Sequence, residues 1–498
     1  MEKRESLKLL PWNQKDVARV AITYIVNVFA IMLLFFLFEY VRANDPQEFY
    51  ALFENGRVVL SLFAVTLFSA VAMFLYFFFE ERDFLRKATN SEMLFIILQL
   101  SLALCFVTER YINIYVRPLA FVAIITLFLT NSKTAIFLSF IFTTLLSAFD
   151  RFSSAVSVDN LQAFLPILSL VSCVTAVYLL KEVYSRFKMI VLSLIFSLPC
   201  VVTVLFSLIE NSIGAVYKNL IASICSGPFA VASVVVLLPV LEFIFNKLTR
   251  FKLAELTDHK VKYIKKMIVQ SPGTFNHAIV VSNLAEACAT AIGEDALLAR
   301  TCAYYHDIGK LRRPEFFKEN QADGANPHDD ITPELSANII KSHTVDGYQF
   351  AIKNRLPKEV ADVAREHHGT MPILYFYDKA KKFTDGEVSL AQFSYSGPKP
   401  QTKIASIIMI VDSCEALART MSDRSRANVE KAVKKIVSDR MQLGQFDECE
   451  ITIKELNIII HTVINSLSGV YHSRIEYPKV SLEGIDPDSL EAPDKQTE

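Results

Sequence analysis

Long apolar runs fill the first half of the chain and limit its fold more than any other feature of the sequence. A bilayer core about 30 Å thick needs about 20 apolar residues per helix, and eight runs before residue 248 come near that length. Three polar residues separate the fourth run from the fifth, so these two are alternatively one bent element. The pattern predicts a polytopic helical membrane domain over 18–248, behind a cytoplasmic segment at 1–17. The runs cover approximately 18–40, 58–80, 93–108, 118–130, 134–149, 163–180, 189–209 and 221–246.

Lysine and arginine residues flank these runs unevenly. With the N-terminus inside, the inside segments hold 15 of them, and the outside loops, one of which contains Arg117, hold 6. Positive residues accumulate on the cytoplasmic side, and an even number of spans returns the chain to that side. We therefore expect a multi-pass protein of the cell (plasma) membrane whose N-terminus and second half are both cytoplasmic. No run carries Lys, Arg or His at its centre, so the usual mark of an ion pathway is missing.

The second half differs in composition, since all nine histidines lie after residue 250. From about residue 255 apolar residues recur at spacings of three and four, which predicts an all-α domain over 249–480. The last stretch, 481–498, is acidic and poor in aromatics, so we expect a disordered tail. The formal net charge of −1 gives no sign of a nucleic acid polymer as partner, and we expect none.

A series of polar residues in this half indicates a metal centre. Several of them continue the apolar face of a predicted helix, as His277 does with Val281, Leu284 and Cys288. A buried imidazole or carboxylate costs several kcal/mol unless it is paired or metal-bound, so inward groups on four helices favour a shared partner. The alternative, a hydrogen-bonded core histidine, would have to recur independently at each position. The candidate ligands are His277, His306, Asp307, His343, His367, His368 and Asp412.

This set of ligands predicts a particular chemistry. Five imidazoles and two carboxylates are too many for one tetrahedral zinc and suit two divalent ions, iron or manganese. Asp307 has two oxygens with which to bridge them. Two ions hold a hydroxide nucleophile and stabilise charge on a phosphodiester, which predicts phosphoester hydrolysis. Asp307 and Lys310 are the predicted catalytic residues, because Lys310, three positions on, is placed to neutralise a phosphate oxygen. Arg312 and Arg313 are weaker candidates for the same role.

The remaining histidines are not expected to be ligands. His328 lies in the sequence NPHDD, for which a surface loop is favoured over a position that lines a substrate pocket. The others are His259, His461 and His472.

The stretch from residue 369 to residue 401 is rich in aromatics and predicts a lid over the centre. Its rings either stack on nucleotide bases or, more often for such rings, serve ordinary packing. They are Tyr375, Phe376, Tyr377, Phe383, Phe393 and Tyr395.

Several strings in the second half are typical of one family. PGTFNHAIVVSNLAEACATAIGEDALLARTCAYYHDIGK runs from Pro272 to Lys310, and NPHDD, SHTVDG, EHHGT, YSGPKPQ and HSRIEYP follow. Together they resemble the seven-transmembrane HD-domain phosphodiesterases, and the apolar runs are similar in number and position. The resemblance implies a helical HD fold, two metal ions, and hydrolysis of cyclic di-AMP to linear pApA. It also implies that one ion is bound by His277, His306, Asp307 and Asp412 and the other by Asp307, His343, His367 and His368.

Two features bear on this resemblance. Members of the family commonly carry a large extracellular domain between the first two spans, whereas here only residues 41–57 separate them. The subfamily that cleaves cyclic di-GMP has GYP after its paired histidines, whereas here EHHGT continues into MPILYFYDKA. The second difference favours the adenine dinucleotide.

The leading hypothesis is a membrane-bound, metal-dependent phosphodiesterase of cyclic di-AMP. We expect the cyclic dinucleotide and the lipid bilayer as partners, and a homodimer is compatible with the sequence. One alternative is an HD-type hydrolase of another nucleotide, such as cyclic di-GMP, (p)ppGpp or a dNTP. Another is a membrane signalling receptor that binds a nucleotide without turnover.

Overall fold

The computed structural model describes residues 14–43, 47, 49–50, 56–152, 165–183, 185–206, 213–321, 326–383 and 387–470. The chain divides into two compact units, Met1–Leu253 and Ala254–Glu498. The described residues form helices and connecting turns, and their β pairing is confined to an isolated antiparallel bridge between Pro372 and Ser394. The all-α fold predicted from the sequence is therefore confirmed. The expected tail at 481–498 and His472 lie outside the described residues.

The first unit is built from apolar helices. Six of those described are long and apolar enough to cross a membrane. Two shorter apolar stretches, Ile114–Leu129 and Pro166–Leu180, coincide with the fourth and sixth runs of the sequence; the count of eight spans stays a prediction. The helices are α1 Gln14–Arg42, α2 Gly56–Glu80, α3 Arg82–Arg86, α4 Ala88–Tyr111, α5 Phe121–Leu129, α6 Ser132–Phe152, α7 Leu165–Leu180, α8 Arg186–Phe206, α9 Ile213–Phe245 and, at the division between the units, α10 Arg250–Leu256.

Several hydroxyl side chains inside these apolar helices form hydrogen bonds within their own helix. Thr66, Ser101 and Ser139 each donate to the backbone carbonyl four residues earlier, at 2.8, 2.6 and 2.6 Å. In an apolar surrounding an unpaired hydroxyl would cost free energy, and this local bond removes the cost without an external partner. The polar residues in these runs are therefore compatible with burial.

A group of buried ion pairs lies at one end of the first unit. The sequence assigned Arg117 to an outside loop, but the residue is only 3% exposed. Its guanidinium donates two hydrogen bonds of 2.7 Å to Asp150 and also contacts Glu109. Glu109 accepts a further hydrogen bond of 2.8 Å from Arg42. Because buried charges persist only when they are paired, this network ties together the C-terminal ends of α1, α4 and α6.

The second unit is a bundle of shorter helices connected by 3₁₀ turns. α12 lies at its centre and packs against α13, α17 and α19. Its helices are α11 Lys262–Gln270, α12 Pro272–Ile292, α13 Ala296–Tyr305, α14 Pro333–Lys353, α15 Lys358–Glu366, α16 Leu374–Phe383, α17 Lys403–Thr420, α18 Arg426–Gln442 and α19 Ile453–Val470.

Local signals fix where the central helices begin and end. α12 stops at Gly293, whose φ of +79° lies in the left-handed region that favours glycine. The side chain of Asp295 accepts a hydrogen bond from the backbone N–H of Leu298 at the start of α13. The side chain of Thr402 caps α17 in the same way. These signals set where α12 ends and where α13 and α17 begin, and all three helices contribute to the candidate centre.

Candidate metal centre

The candidate centre is built around the turn that follows α13. The helix ends at Tyr305, and His306 and Asp307 lead into a 3₁₀ segment, Ile308–Arg312. Within that segment Gly309 lies against α14, where an added Cβ would stand 2.0 Å from the backbone oxygen of His343. This close approach of two backbones requires glycine, and it brings α14 beside the turn.

The expectation that the candidate ligands point into the domain is confirmed. Both His306 and Asp307 are at most 1% exposed. The apolar neighbours that share the helical faces of His277 and Asp412 are buried too. Only His368 is partly exposed among the seven residues. The buried members are His277, His306, Asp307, His343, His367 and Asp412.

Six of these residues form two groups that could each hold an ion. In each group, one donor atom per residue lies within 4.8 Å of the others. One group is His277, His306 and Asp307, and the other is His343, His367 and His368. The structure thus brings together residues from α12, α14, the turn after α13 and the turn after α15, although metal binding itself stays a prediction.

Three of the imidazoles share one hydrogen-bonding pattern. In each, Nδ1 donates to a backbone carbonyl oxygen three residues earlier, so the neutral imidazole has its lone pair on Nε2. His306 Nε2 is buried and has no hydrogen-bond partner among the described residues. A donating Nδ1 with a free Nε2 is the state in which histidine binds metals. The Nδ1–O distances are 2.7 Å for His306 and Ala303, 2.6 Å for His343 and Ile340, and 3.0 Å for His367 and Ala364.

Asp307 presents one carboxylate oxygen to each group. Its Oδ1 lies 3.3 Å from Nε2 of His343 and 3.7 Å from Nε2 of His367. Its Oδ2 lies 3.3 Å from Nε2 of His306 and 3.7 Å from Nε2 of His277. Lone pairs this close repel unless protons or cations lie among them, so the donor set fits two divalent ions on either side of Asp307.

Asp412 also reaches toward both groups. It lies on α17, with Oδ1 at 3.0 Å from Nε2 of His277 and Oδ2 at 3.9 Å from Nδ1 of His368. A carboxylate in this position adds a second negative charge to the centre, which favours cations over any neutral ligand.

The carboxylates change the pKa values of the imidazoles unequally. Burial disfavours the charged form of His306, but the negative charge of Asp307 outweighs it and raises the pKa of His306 to about 10. Burial is outweighed in the same way at His277, whose pKa is raised by hydrogen bonds to two carboxylates. Burial lowers the pKa of His343 to about 3. Positive charge is therefore most favoured on the side of His277 and His306.

Lys310 lies between two carboxylates at the edge of the centre. Its Nζ is 2.6 Å from Oδ2 of Asp307 and 2.8 Å from Oε1 of Glu319, and it stands 5.0 Å from the centre of the Phe317 ring. Burial disfavours the ammonium form, but the two carboxylates raise the pKa of Lys310 above its ordinary value. A fixed positive charge therefore lies beside Asp307.

The sequence did not indicate Glu319, which holds Lys310 from the outer side. Asn320, its neighbour, accepts a hydrogen bond of 3.1 Å from the backbone N–H of Thr274 at the start of α12. An added Cβ at Gly273 would lie 1.8 Å from the backbone oxygen of Glu319. The 3₁₀ segment Lys318–Asn320 is therefore docked against α12, which places Glu319 beside Lys310.

Glu415 is a second residue that sequence reasoning missed. It lies on α17, three positions after Asp412, and Nδ1 of His277 donates a hydrogen bond to its Oε2. The same helical phase that indicated Asp412 also applies to Glu415, because residues three apart share a face. The signal was therefore present in the sequence.

The predicted lid contributes one ring to the centre. Tyr395 stacks on His368 with the ring centres 4.4 Å apart. Phe376 and Phe393 are buried in a small apolar cluster with Ala337, while Tyr375 is 67% exposed. Ordinary packing thus accounts for two of the rings, and stacking on bases stays a prediction.

The residues that the sequence offered as weaker site candidates belong to neither of the two ligand groups. The exposed side chain of Arg312 pairs with Asp346, and Arg313 is exposed as well. The surface position expected for His328 is wrong, because this side chain is buried and its Nε2 bonds to the backbone oxygen of Phe316 at 2.9 Å. The ring of His259 packs against Phe275 and Tyr304, and His461 is exposed.

Two family descriptions match consecutive parts of the chain. Residues 57–249 match the family described as 7TM receptor with intracellular HD hydrolase, and residues 274–417 match the HD domain. The chain belongs to this family of seven-transmembrane HD proteins. The first match begins at the start of α2, so seven of the eight apolar runs lie within it. With its six long apolar helices, the chain is a multi-pass membrane protein.

Similar members of the family are known from two bacteria. A protein of Listeria monocytogenes named cyclic-di-AMP phosphodiesterase PgpH is 42% identical over 78% of this chain and 52% of its own length. A Bacillus subtilis protein of the same name is 37% identical over 82% of this chain and 59% of its own length. The chain thus spans little more than half the length of these relatives.

The crystal structure of the PgpH HD domain from L. monocytogenes in complex with cyclic di-AMP is also similar. It is 48% identical, and the match covers 44% of this chain and 100% of that one, with a TM-score of 0.42.

Proposed function

We propose that this protein is a membrane-bound, metal-dependent phosphodiesterase that hydrolyses cyclic di-AMP to linear pApA. The observation that carries the proposal is the convergence of two histidine groups on Asp307, one facing each carboxylate oxygen. The two relatives named cyclic-di-AMP phosphodiesterase, at 42% and 37% identity, support the choice of substrate.

Two divalent ions, iron or manganese, are the proposed cofactors. Bound here, such a pair of ions would lower the pKa of water to near neutrality and neutralise charge on the phosphodiester. Asp307 would bind both ions through its separate oxygens. One ion would be held by His277, His306, Asp307 and Asp412, and the other by Asp307, His343, His367 and His368.

Lys310 and Tyr395 are the side chains proposed to donate hydrogen bonds to the substrate, and Tyr395 also shields the centre from water. The ammonium of Lys310 contacts Glu319 and Asp307, and its third N–H group would donate to a nonbridging phosphate oxygen. Burial raises the pKa of Tyr395, so its hydroxyl stays protonated and able to donate a hydrogen bond. The Tyr395 ring also covers His368 and limits the access of bulk water to that side of the centre.

The proposed orientation of the protein in the membrane follows from the distribution of positive residues in the sequence. The domain from residue 249 to residue 480 and the N-terminus would be cytoplasmic, since positive residues accumulate on that side of the predicted spans. A cytoplasmic site has direct access to an intracellular dinucleotide. The lipid bilayer is the second proposed partner, and a homodimer stays a prediction.

A substrate panel with the full-length protein tests this proposal. The protein in detergent, loaded with Mn²⁺, is incubated with cyclic di-AMP, cyclic di-GMP, ppGpp and a dNTP, and the products are identified by mass spectrometry. We expect pApA from cyclic di-AMP, no turnover by Asp307→Ala, and wild-type turnover by Asp439→Ala, whose side chain is exposed on α18. Turnover of another nucleotide alone, or binding without any product, would overturn the proposal.

A further inference from the structure

Within the centre, His277 is held in a different way from its neighbours. Nδ1 of His306, His343 and His367 donates to a neutral backbone carbonyl, whereas Nδ1 of His277 donates to the carboxylate of Glu415. Glu415 is only 1% exposed, so this hydrogen bond is shielded from water. The bond is also charge-assisted, which makes it stronger than the three others.

The geometry of α17 accounts for this contact. Asp412 and Glu415 lie one turn apart on α17 and both face α12, so that the imidazole of His277 lies between them. Its Nε2 is 3.0 Å from Oδ1 of Asp412. The other oxygen of Glu415, Oε1, accepts a hydrogen bond of 3.1 Å from Nε of Arg419. Each oxygen of Glu415 therefore has one partner, Oε2 with His277 and Oε1 with Arg419.

Glu415 is not placed to be a ligand itself. It contacts Nδ1 of His277, while the face that meets Asp307 and Asp412 is Nε2. Any effect of Glu415 on an ion is consequently transmitted through the imidazole. A carboxylate bound to Nδ1 holds that proton in place, orients the ring and makes Nε2 a better electron donor.

We propose that Glu415 is a positioning residue that makes the metal position of His277, His306 and Asp307 the tighter of the two. This proposal rests on the proposed metal centre and goes beyond it, because it makes the two positions unequal. In the other group, His343 and His367 have only backbone carbonyls as acceptors for Nδ1. Partners of this kind typically change metal affinity by about 10- to 100-fold.

A metal titration of the full-length protein in detergent tests this inequality. The metal-free protein is dialysed against increasing Mn²⁺, and the bound ions are counted by elemental analysis. We expect Glu415→Gln to weaken one of two binding steps by about 10- to 100-fold and to leave the other unchanged. The control, Glu430→Gln, removes an exposed glutamate that pairs with Lys434 four residues on, and it should bind Mn²⁺ like the wild type.

The outcomes separate this proposal from the proposed function. A wild-type protein that binds no Mn²⁺ contradicts the metal centre itself. Two binding steps of wild-type affinity in Glu415→Gln overturn only the role of Glu415. Activity of this variant that returns at excess Mn²⁺ supports that role, since a folding defect would not be corrected by metal.

A second variant tests the role of Glu415 if metal-free Glu415→Gln is misfolded. Arg419→Gln removes the ion pair on α17 but keeps the hydrogen bond between Glu415 and His277. Wild-type Mn²⁺ affinity in Arg419→Gln supports the proposal. A 10-fold or larger loss of affinity overturns it, because the ion pair rather than the carboxylate would then support the site.

Discussion

The negative charge of Asp307 is balanced by Lys310, and in the proposed centre it would also be balanced by bound cations. Lys310 neutralises Oδ2 of Asp307 from 2.6 Å, and the same oxygen is the one that faces His277 and His306. A cation bound beside His277 and His306, as proposed, would therefore compete with Lys310 for this oxygen of Asp307. Glu319 offers the ammonium of Lys310 another partner at 2.8 Å, so the lysine can stay in the site when the oxygen is taken.

Replacement of Lys310 separates its role in turnover from metal binding. We expect Lys310→Met to lower kcat by about 10²- to 10³-fold, because a preorganised donor to the phosphate is lost. Its Mn²⁺ affinity should equal or exceed that of the wild type, since a competing cation is removed from Asp307. Steady-state kinetics and a Mn²⁺ titration measure the two effects.

The control for this variant is Lys358→Met on α15, where the side chain is 72% exposed and pairs with Asp362. It should have wild-type kinetics. A Lys310→Met protein with wild-type kcat would show that the lysine does not act on the phosphate.

The burial of several candidate ligands could be predicted from the sequence, because helical phase sets which side chains point into the domain. His277, His367 and Asp412 continue apolar rows on their helices, and all three are buried as expected. Glu319 could not be predicted in this way, because it lies in a 3₁₀ segment whose docking on α12 depends on tertiary contacts. The burial of His328 could not be predicted for the same reason, since its partner is a backbone oxygen in a neighbouring turn.

At the scale of secondary structure, the centre depends on a close approach between the 3₁₀ segment Ile308–Arg312 and α14, with a glycine on each side. The 3₁₀ segment with Gly309 packs on α14 beside Gly347, and the backbone N–H of Gly347 would lie 2.5 Å from an added Cβ at Gly309. The sequence predicts the individual helices, but it does not show which of them cross. The need for glycine at this crossing is therefore visible only in the structure.

Alanine substitutions at these two glycines should differ in effect. In Gly309→Ala the new Cβ would meet backbone atoms that cannot move aside, so we expect a loss of about 1–3 kcal/mol or more in the free energy of unfolding. In Gly347→Ala the nearest atom would lie at 3.3 Å, which a small shift relieves. Thermal unfolding followed by circular dichroism compares them, and a lower midpoint for Gly347→Ala than for Gly309→Ala would contradict this prediction.

The whole molecule combines a membrane unit with an HD unit, and the sequence described the two with unequal success. The apolar runs coincide with the described helices, because length and hydropathy are local properties. Arg117 lies in a connection between helices, as the sequence indicated, but its burial depends on pairing with Asp150 on α6, a distant residue that a search along the sequence does not reveal. The positions of Glu109 and Arg42 in the same network could not be foreseen either.

The predicted orientation in the membrane can be measured with C-terminal fusions. A cytoplasmic C-terminus gives fluorescence with green fluorescent protein and no activity with alkaline phosphatase, which folds only outside. We expect this pattern, because the positive residues favour an inside N-terminus and eight spans return the chain to that side. Phosphatase activity without fluorescence would contradict the cytoplasmic C-terminus, and with it either the inside N-terminus or the even number of spans.

The number of metal ions per chain tests the two-metal centre around Asp307 most directly. Full-length protein in detergent is saturated with Mn²⁺, freed of unbound metal and measured by elemental analysis against its protein concentration. The two donor groups predict two ions per chain. A ratio of one would indicate a mononuclear HD site, and a ratio of one or none would contradict the two-metal centre.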